Sequence, residues 1–406
     1  MLNDVTVNDN HVEGNGGGIL VEGGNQCDIV KCNFYRNKVY KGHEGGNIYI
    51  GDNGGKTVCN ITDSYIDQGL ATKGAGIAVY DNQELNIYGR TEITNGKSHE
   101  YMSDDLKGMG SYISNATVNI KGQDEVNRVS ISNNALGEHY FDDIYTYKGA
   151  GIYIEGSSAK CTAQNVKIND NTIYANATFN RDHEGVGVCV EDGASFSIDS
   201  GEICNNIDKS TSEHYDNYGG IAIFANSCKS LEVKNVLVSG NEFKQDHDEA
   251  LSGAEQQNYE EIHSDTEGII AVKNSSPEYV SIQNTTVKDN KQCPGITLDP
   301  HIKNCELNNI TVTNNNWGGV YVDSDVELCT LSGLCKIYDN ERHNLLLHDC
   351  SRFNVGEMSP GSYVRLKTDA GGQFTTQASD SYRDYTSYFC WDGSNPQVGV
   401  VGEGYL

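Results

Sequence analysis

Apolar residues occur along this chain in short bursts in which apolar and polar positions alternate, and most bursts directly follow a pair of glycines. Alternation with a period of two predicts short β-strands, because successive side chains of a strand point to opposite faces. The clearest bursts lie at residues 17–21, 45–50, 74–79, 149–154, 185–190, 219–223 and 318–322, and weaker copies lie at 108–110, 268–270 and 294–296. The chain therefore predicts many short strands and few helices.

Two further short strands, the last of them ending in Asn, follow each glycine burst, as residues 231–241, 280–290 and 305–315 show. One such unit cannot bury its inward Ile and Val residues alone, whereas stacked units form a continuous apolar column. Gly and Asn at the corners suit the left-handed backbone angles of sharp turns. We predict an all-β, right-handed parallel β-helix (a solenoid) of about ten coils.

The strand rhythm changes after Leu334, and the late segments around residues 361–366 and 388–391 follow a different spacing. A solenoid needs a cap that covers its open apolar end. We therefore predict a parallel β-helix over residues 1–343, followed by a terminal coil and a β-rich cap over residues 344–406.

Charge narrows the classes of partner. The chain has 57 acidic and 29 basic residues and a formal net charge of −28. Such a chain repels nucleic acid and anionic membranes, so we expect neither as a partner. Because it has no apolar run long enough to span a bilayer and no apolar leader after Met1, we expect a monomeric rod cut from a longer exported protein, extracellular or at the cell surface.

The 13 cysteines show no zinc-ligand spacing. Six of them fall just before, or at the start of, the second strand of a coil: Cys27, Cys59, Cys161, Cys228, Cys305 and Cys329. Two interpretations stay open. They form stacks of small, reduced apolar side chains, or cysteines on adjacent coils pair as disulfides.

Histidines beside acids recur in the loops just before the glycine bursts, and stacking would align these loops along one edge of the rod. Carboxylates and imidazoles there could bind a glycan, a host or cell-surface protein, or a divalent cation, with Ca²⁺ the cofactor considered; the alternative is a solvated polar edge. The insertion at about residues 244–267 is strongly acidic, and a loop of that length is functional or mobile. The candidate ligand-binding residues are His43, Glu44, His99, Glu100, His139, Asp142, His183, Glu184, His214 and Asp216.

Two local motifs resemble a known family of repeats. Residues 17–19 read Gly-Gly-Ile, and residues 34–37 read Phe-Tyr-Arg-Asn. They are similar to the GGAI and FxxN motifs of polymorphic outer-membrane-protein-like passengers and related adhesin-like surface β-helix proteins. The resemblance covers roughly residues 5–340, with Ile, Val or Tyr replacing Phe in later coils. It implies a β-helix that serves as an adhesin-like binding or scaffold module.

A second resemblance points to an enzyme. Residues 295–301, Gly-Ile-Thr-Leu-Asp-Pro-His, are similar to the Asp-Pro-His segment of mannuronan C5-epimerases, which are also β-helices. The resemblance implies that Asp299, His301 and Asp323 move the C5 proton of a polyuronate. The chain departs from that family at Ile302, where an acid is expected, and at Ile296, where a catalytic Tyr is expected. The alternative function is thus a C5-epimerase or lyase-like polysaccharide-modifying enzyme.

Overall fold

A computed structural model describes most of the chain in all-β form, with no helix in the described ranges. The described residues are 1–24, 26–98, 105–137, 146–174, 182–209, 217–244, 268–273, 279–299, 301–322, 326–341, 343–347, 353–359, 361–365, 386–391 and 396–401.

The predicted glycine bursts form one 11-stranded sheet, here called the glycine sheet. Its neighbouring strands are parallel and in register, and they include the three weaker copies. The prediction of about ten stacked coils is confirmed. The strands are Ile19–Val21, Ile48–Ile50, Ile77–Tyr80, Ser111–Ser114, Ile152–Glu155, Val188–Glu191, Ile223–Asn226, Ile270–Lys273, Pro294–Leu298, Gly318–Val322 and His343–Leu347.

The second and third strands of each coil belong to a 23-stranded sheet, here called the wide sheet. Three long strands run through both halves of it with a left-handed residue in the middle, such as Asn165 at φ 52°. The strands are Leu2–Asn3, Thr6–Asn8, Gln26–Val30, Asn33–Tyr35, Val58–Thr62, Tyr65–Asp67, Glu84–Tyr88, Glu92–Thr94, Thr117–Lys121, Val129–Ser132, Lys160–Asn169, Ser195–Cys204, Ser230–Ser239, Tyr279–Gln283, Thr286–Lys288, Cys305–Asn308, Thr311–Thr313, Cys329–Gly333, Lys336–Tyr338, Phe353–Met358, Tyr363–Arg365, Thr386–Trp391 and Pro396–Val401.

Two short sheets, which the sequence did not predict, turn the chain back toward the glycine sheet. The corner sheet has eight strands: His11–Val12, Lys38–Val39, Leu70–Ala71, Lys97–Ser98, Ala135–Leu136, Thr172–Ile173, Ile207–Asp208 and Glu242–Phe243. The edge sheet has four strands: Leu106–Lys107, Thr146–Lys148, Asp182–Glu184 and Asn217–Gly219. Together with the glycine and wide sheets, they make each described coil a parallel β-helix turn.

Parallel pairing continues beyond the predicted boundary at residue 343. His343–Leu347, Phe353–Met358 and Tyr363–Arg365 each pair in parallel with the coil before. Thr386–Trp391 then pairs antiparallel with Tyr363–Arg365, and Pro396–Val401 pairs antiparallel with Thr386–Trp391. The last segments thus pair in a different direction from the coils; the cap assigned to residues 344–406 stays a prediction.

The core is a set of in-register columns of inward side chains. One column in the wide sheet runs through Ile29, Ile61, Ile87 and Ile120, all essentially inaccessible to solvent. Stacking at about 4.8 Å places each apolar side chain directly on its equivalent in the next coil. Burial in this fold comes from neighbours one coil away, so each coil depends on the next.

A buried asparagine ladder follows the third strand of the coils. Each ladder Asn from Asn134 to Asn340 gives both its backbone N–H and its side-chain Nδ2 to the Oδ1 of the next one, and Nδ2 also donates to a backbone carbonyl of the preceding coil. The last acceptor, Asn344, lies in the glycine-sheet strand His343–Leu347. For Asn206 the distances are 3.0 Å and 3.0 Å to Asn241 Oδ1 and 2.9 Å to the carbonyl of Ile168. The continuous run is Asn134, Asn171, Asn206, Asn241, Asn290, Asn315, Asn340 and Asn344.

Asn residues do adopt left-handed angles at the corners, as predicted, but at the ladder corner the left-handed residue is the one before the ladder Asn. Asn133, Asp170 and Asn205 have φ values of 57°, 58° and 55°, and each directly precedes a ladder residue. The repeated Asn is thus required for its side chain, which satisfies buried backbone groups that would otherwise lack partners.

The ladder explains the glycine of the glycine sheet. A Cβ on Gly18 would lie 3.0 Å from Asn37 Nδ2 and 3.2 Å from Phe34 Cδ1 of the same coil. Gly151 and Gly187 have the same relation to Asn171 and Asn206, at 3.1 Å and 3.3 Å. In these coils glycine and asparagine occupy one shared space, whereas Ala222 and Ile269 stand at the glycine position of the coils that contain Asn241 and Asn290.

One coil exchanges the two residues. Gly69 occupies the ladder position there, and Asn47 occupies the position of the second glycine. The Asn47 side chain replaces the missing rung: its Oδ1 accepts from Asn37 Nδ2 at 2.8 Å, and its Nδ2 donates to the carbonyl of Asp67 at 3.0 Å. The exchange keeps an amide in this coil, whereas the next coil has glycine at both positions, Gly76 and Gly96.

Asn206→Ala should strongly destabilise the rod, because it removes an acceptor of the Asn171 amides and a donor to the carbonyl of Ile168. Leaving buried backbone groups unpaired costs about 1–3 kcal/mol each, so we expect a loss of about 2–5 kcal/mol. Urea unfolding followed by circular dichroism measures it. Asn304→Ala, at an exposed Asn, should change the midpoint little; equal losses in both variants would show that the ladder is not a major source of stability.

Candidate functional site

The loops that carry the predicted histidines and acids all leave the rod at one edge. In successive coils the chain leaves a corner-sheet strand and returns through the edge sheet or directly into the glycine sheet. The corner strands Lys97–Ser98, Ala135–Leu136, Thr172–Ile173, Ile207–Asp208 and Glu242–Phe243 are stacked on one another. The strands that flank the loops are therefore stacked, whereas most of the loops lie outside the described residues and their alignment stays a prediction.

Most predicted edge residues lie outside the described part of the chain, namely His99, Glu100, His139, Asp142, His214 and Asp216. The structure describes His43 and Glu44, both half-buried at this edge. The Glu44 carboxylate lies 3.6 Å from the Lys73 ammonium of the next coil, and the Glu44 backbone N–H donates to Asn15 Oδ1 at 3.0 Å. These two residues keep their predicted location, and their ligand-binding role stays a prediction.

His183 and Glu184 are buried instead of facing solvent. His183 is 2% exposed and points into the coil, with its Nδ1 3.8 Å from Asp208 Oδ2 and its ring edge-on to Tyr147 at 5.7 Å. Glu184 is 4% exposed and points the other way, because successive side chains of the strand Asp182–Glu184 alternate. A ligand cannot reach either side chain in this arrangement.

Glu184 belongs to a buried charge network on the outer face of the glycine sheet. The Lys148 ammonium lies 2.7 Å from Glu184 and 2.8 Å from Glu191. The Tyr153 hydroxyl donates to Glu191 at 2.7 Å and lies 2.9 Å from Glu155. The network therefore joins neighbouring coils through one lysine, one tyrosine and three carboxylates.

Tyrosines stack along the same face. Ring centroids are 5.5 Å apart for Tyr49 and Tyr80, 5.2 Å for Tyr80 and Tyr112, and 5.6 Å for Tyr112 and Tyr153. Lys73 lies over the Tyr112 ring at 5.2 Å, in cation–π contact. The result is a covered aromatic stack on a sheet face that would otherwise be solvated.

A repeated charged position in the sequence, separate from the histidines, indicates this network. A charged residue stands directly before the first glycine in five consecutive coils: Glu44, Lys73, Lys107, Lys148 and Glu184. The bridges from Glu44 to Lys73 and from Lys73 to Lys107 place these residues in one row along the rod. The row has an acid at each end and three lysines between them, and carboxylates within the row and on the glycine strands beside it, such as Glu155 and Glu191, pair with these lysines.

The network holds each of its groups in a fixed charge state. Burial raises the pKa of Tyr80, Tyr112 and Tyr153 far above the usual range of a phenol, so these hydroxyls stay neutral. Burial opposes the charge of Lys148, but the nearby carboxylates Glu184 and Glu191 outweigh it and raise its pKa. Lys148 therefore keeps its charge beside tyrosines that keep their protons.

The residues carried over from the epimerase resemblance are only partly described. Asp299 is 6% exposed, whereas His301 is exposed and has a φ of 74°. Asp323 lies outside the described residues. The structure thus gives no joint geometry for the three residues, and their catalytic role stays a prediction.

Two other kinds of site, one for a metal ion and one for a membrane, can be checked in the described residues. The described ranges contain no group of three His, Cys, Asp or Glu side chains arranged to hold a metal ion. Within the same ranges, no helix has the length and apolarity to cross a bilayer. The Ca²⁺ expectation for the edge loops is tested by neither observation.

Lys148→Met should be strongly destabilising, because it leaves Glu184 and Glu191 as buried carboxylates without their cation. Breaking one side of a buried ion pair costs about 3–5 kcal/mol. The matched control is Lys56→Met, which removes a lysine 57% exposed that pairs with Glu84 at 2.7 Å; exposed pairs contribute about 0–1 kcal/mol. Urea midpoints compare the two variants, and an equal shift would refute the assignment of Lys148 as the key cation.

Acid should weaken the same network through Glu155. Burial would raise the pKa of Glu155, but hydrogen bonds from Tyr112 and Tyr153 and the charge of Lys107 outweigh burial and lower the pKa. A lowered pKa adds stability above the unfolded pKa of about 4.3, which is lost as the pH falls through the folded value. Melting temperatures from pH 6 to pH 3 should fall less steeply in Glu155→Gln than in the parent.

The control for the acid series is Glu13→Gln at an exposed Glu, which should melt with the slope of the parent chain. If Glu155→Gln also followed the parent slope, the Glu155 carboxylate would contribute no acid-sensitive stability.

Comparison of the chain with protein-family models, with curated proteins and with solved structures finds no match, so its assignment as a parallel β-helix comes from the strand pairing and its family resemblance stays an expectation.

Proposed function

We propose that this chain is an adhesin-like binding or scaffold rod, extracellular or at the cell surface, whose ligand is a glycan or a host or cell-surface protein. The observation that carries the proposal is that each long insertion lies in the sequence directly after a corner strand, and these corner strands are stacked on one another along the rod. In solenoid proteins, insertions that map to one face often form the binding face. Loops placed by a rigid scaffold are also where binding residues concentrate.

The chemistry of the insertions limits the ligand. Residues 245–267 contain eight acids and no Lys or Arg. Together with the net charge of −28, this disfavours polyanions and favours neutral sugars, basic protein surfaces or cations. Tyr and His beside these acids suit sugar rings and protein surfaces.

The buried network limits which edge residues can take part. Glu184 is committed to Lys148, and His183 lies inside the coil. Contacts with a ligand are therefore assigned to His43 with Glu44, and to the pairs His99–Glu100, His139–Asp142 and His214–Asp216.

The polysaccharide-modifying alternative, using Asp299, His301 and Asp323, rests on the local sequence resemblance alone. A proton transfer at a sugar carbon needs its acid and its base within reach of one substrate. In the described chain Asp299 is nearly inaccessible while its neighbour His301 is exposed. This difference makes the binding role the better-supported proposal.

An edge variant tests the binding role. It combines His99→Ala, Glu100→Gln, His139→Ala, Asp142→Asn, His214→Ala and Asp216→Asn. We expect a glycan array, or a panel of basic host proteins, to identify a ligand whose affinity falls at least tenfold in this variant, because about 1.4 kcal/mol of contacts is lost.

A matched control removes three acids away from the edge: Glu125→Gln, Asp192→Asn and Glu232→Gln, all at exposed positions. It should bind within about threefold of the parent, since a 1.4 kcal/mol change would be needed for tenfold. Equal losses would indicate a general charge effect. Turnover of a polyuronate that His301→Ala abolishes would favour the enzyme instead.

A further inference from the structure

Two pairs of cysteines stand directly on top of one another in adjacent coils. Cys27 is in register with Cys59, and Cys305 is in register with Cys329. In-register residues of neighbouring parallel strands are about 4.8 Å apart, within the range of Cα separations that a disulfide bridges. The other cysteine of this column, Cys161, stacks between Val118 and Phe196.

The two pairs differ in access. Cys305 and Cys329 are both fully buried, as is Cys59. Cys27 is half-buried, since the strand Leu2–Asn3 covers Ile29 and Val30 but not Cys27. A reagent in solvent can therefore reach one sulfur of the first pair and neither sulfur of the second.

The two thiols of the first pair also differ in chemistry. The Cys59 thiol donates a hydrogen bond that lowers the pKa of Cys27 to about 7. The same bond, together with burial, raises the pKa of Cys59. Since the thiolate is the nucleophile, Cys27 is the reactive member and Cys59 the neighbour that keeps its proton.

We propose that Cys27 and Cys59 form an oxidisable thiol pair that takes up a small disulfide at Cys27 and converts it into a Cys27–Cys59 bond linking the first two coils. The Cys27 thiolate attacks one sulfur of a low-molecular-weight disulfide and releases one thiol, leaving a mixed disulfide. The Cys59 sulfur then attacks Cys27, loses its proton to the departing group and releases the second thiol. Two protein thiols are oxidised and one small disulfide is reduced to two thiols.

The bond would fasten the first coil to the second. The first two coils are otherwise joined by backbone pairing and by side-chain packing. A covalent link between in-register residues restricts the unfolded chain and slows fraying from this end. The formation of this bond does not depend on what the edge loops bind. The thiol-pair proposal can therefore be tested separately from the proposed binding role.

Glutathione disulfide is the probe for the full chain, followed by blocking of free thiols and peptide mapping without reduction. The parent should yield a linked Cys27–Cys59 peptide. Cys59→Val, which places in the column a residue type already present at Val118, should instead accumulate glutathione on Cys27. Cys27→Ser should take up glutathione at least tenfold more slowly.

Cys305 and Cys329 are the internal control: they should stay reduced under the same conditions and react only after unfolding in urea. Uptake at Cys27 should slow about tenfold or more from pH 7.5 to pH 5.5, because the thiolate fraction falls. The proposal is overturned if the parent accumulates the mixed disulfide without the linked peptide, if Cys27→Ser reacts as fast as the parent, or if Cys305 and Cys329 link equally fast.

Discussion

The buried asparagine ladder is the interaction on which the rest of the rod depends. The side-chain amide of Asn206 satisfies two buried backbone groups of the coil before it, the N–H of Asn171 and the carbonyl of Ile168, and Gly187 leaves room for this amide. Because unpaired buried amides are costly, the ladder fixes where each coil turns. The exchange of Asn47 and Gly69 shows that the volume and the hydrogen bonds matter, not which strand supplies the side chain.

The position of the corner also determines where insertions of different length can be placed in the chain. The corner strands stack on one another with constant register, so an insertion placed after them leaves the rod at the same edge whatever its length. Loop length costs little free energy once both ends are held. The core thus tolerates large differences between the loops, and this makes the edge a suitable place for recognition.

Charge plays two separate roles in this chain. Most of the acidic excess of the −28 net charge keeps the surface hydrated and limits the class of partner. A smaller set of charges beside the glycine sheet is desolvated and paired, with Lys148 between Glu184 and Glu191. Removing one partner of such a pair leaves a buried charge uncompensated, which is strongly destabilising. These pairs therefore hold neighbouring coils in register and are not available to a ligand. The same residue types therefore stabilise the rod at one position and face a ligand at another.

The sequence by itself determined the fold class and the glycine strands, because period-two alternation, glycine pairs and their spacing are local properties. Of the six cysteines predicted at the second strand, Cys228 lies outside the column, because Leu231 takes that position in its coil, and the other five share it. The sequence could not place His183 beside Asp208, or Glu184 beside Lys148. These contacts join residues of different strands, and they depend on which side of a three-residue strand each side chain takes once the coils are stacked. Tertiary structure alone decided that part of the histidine-rich edge is interior.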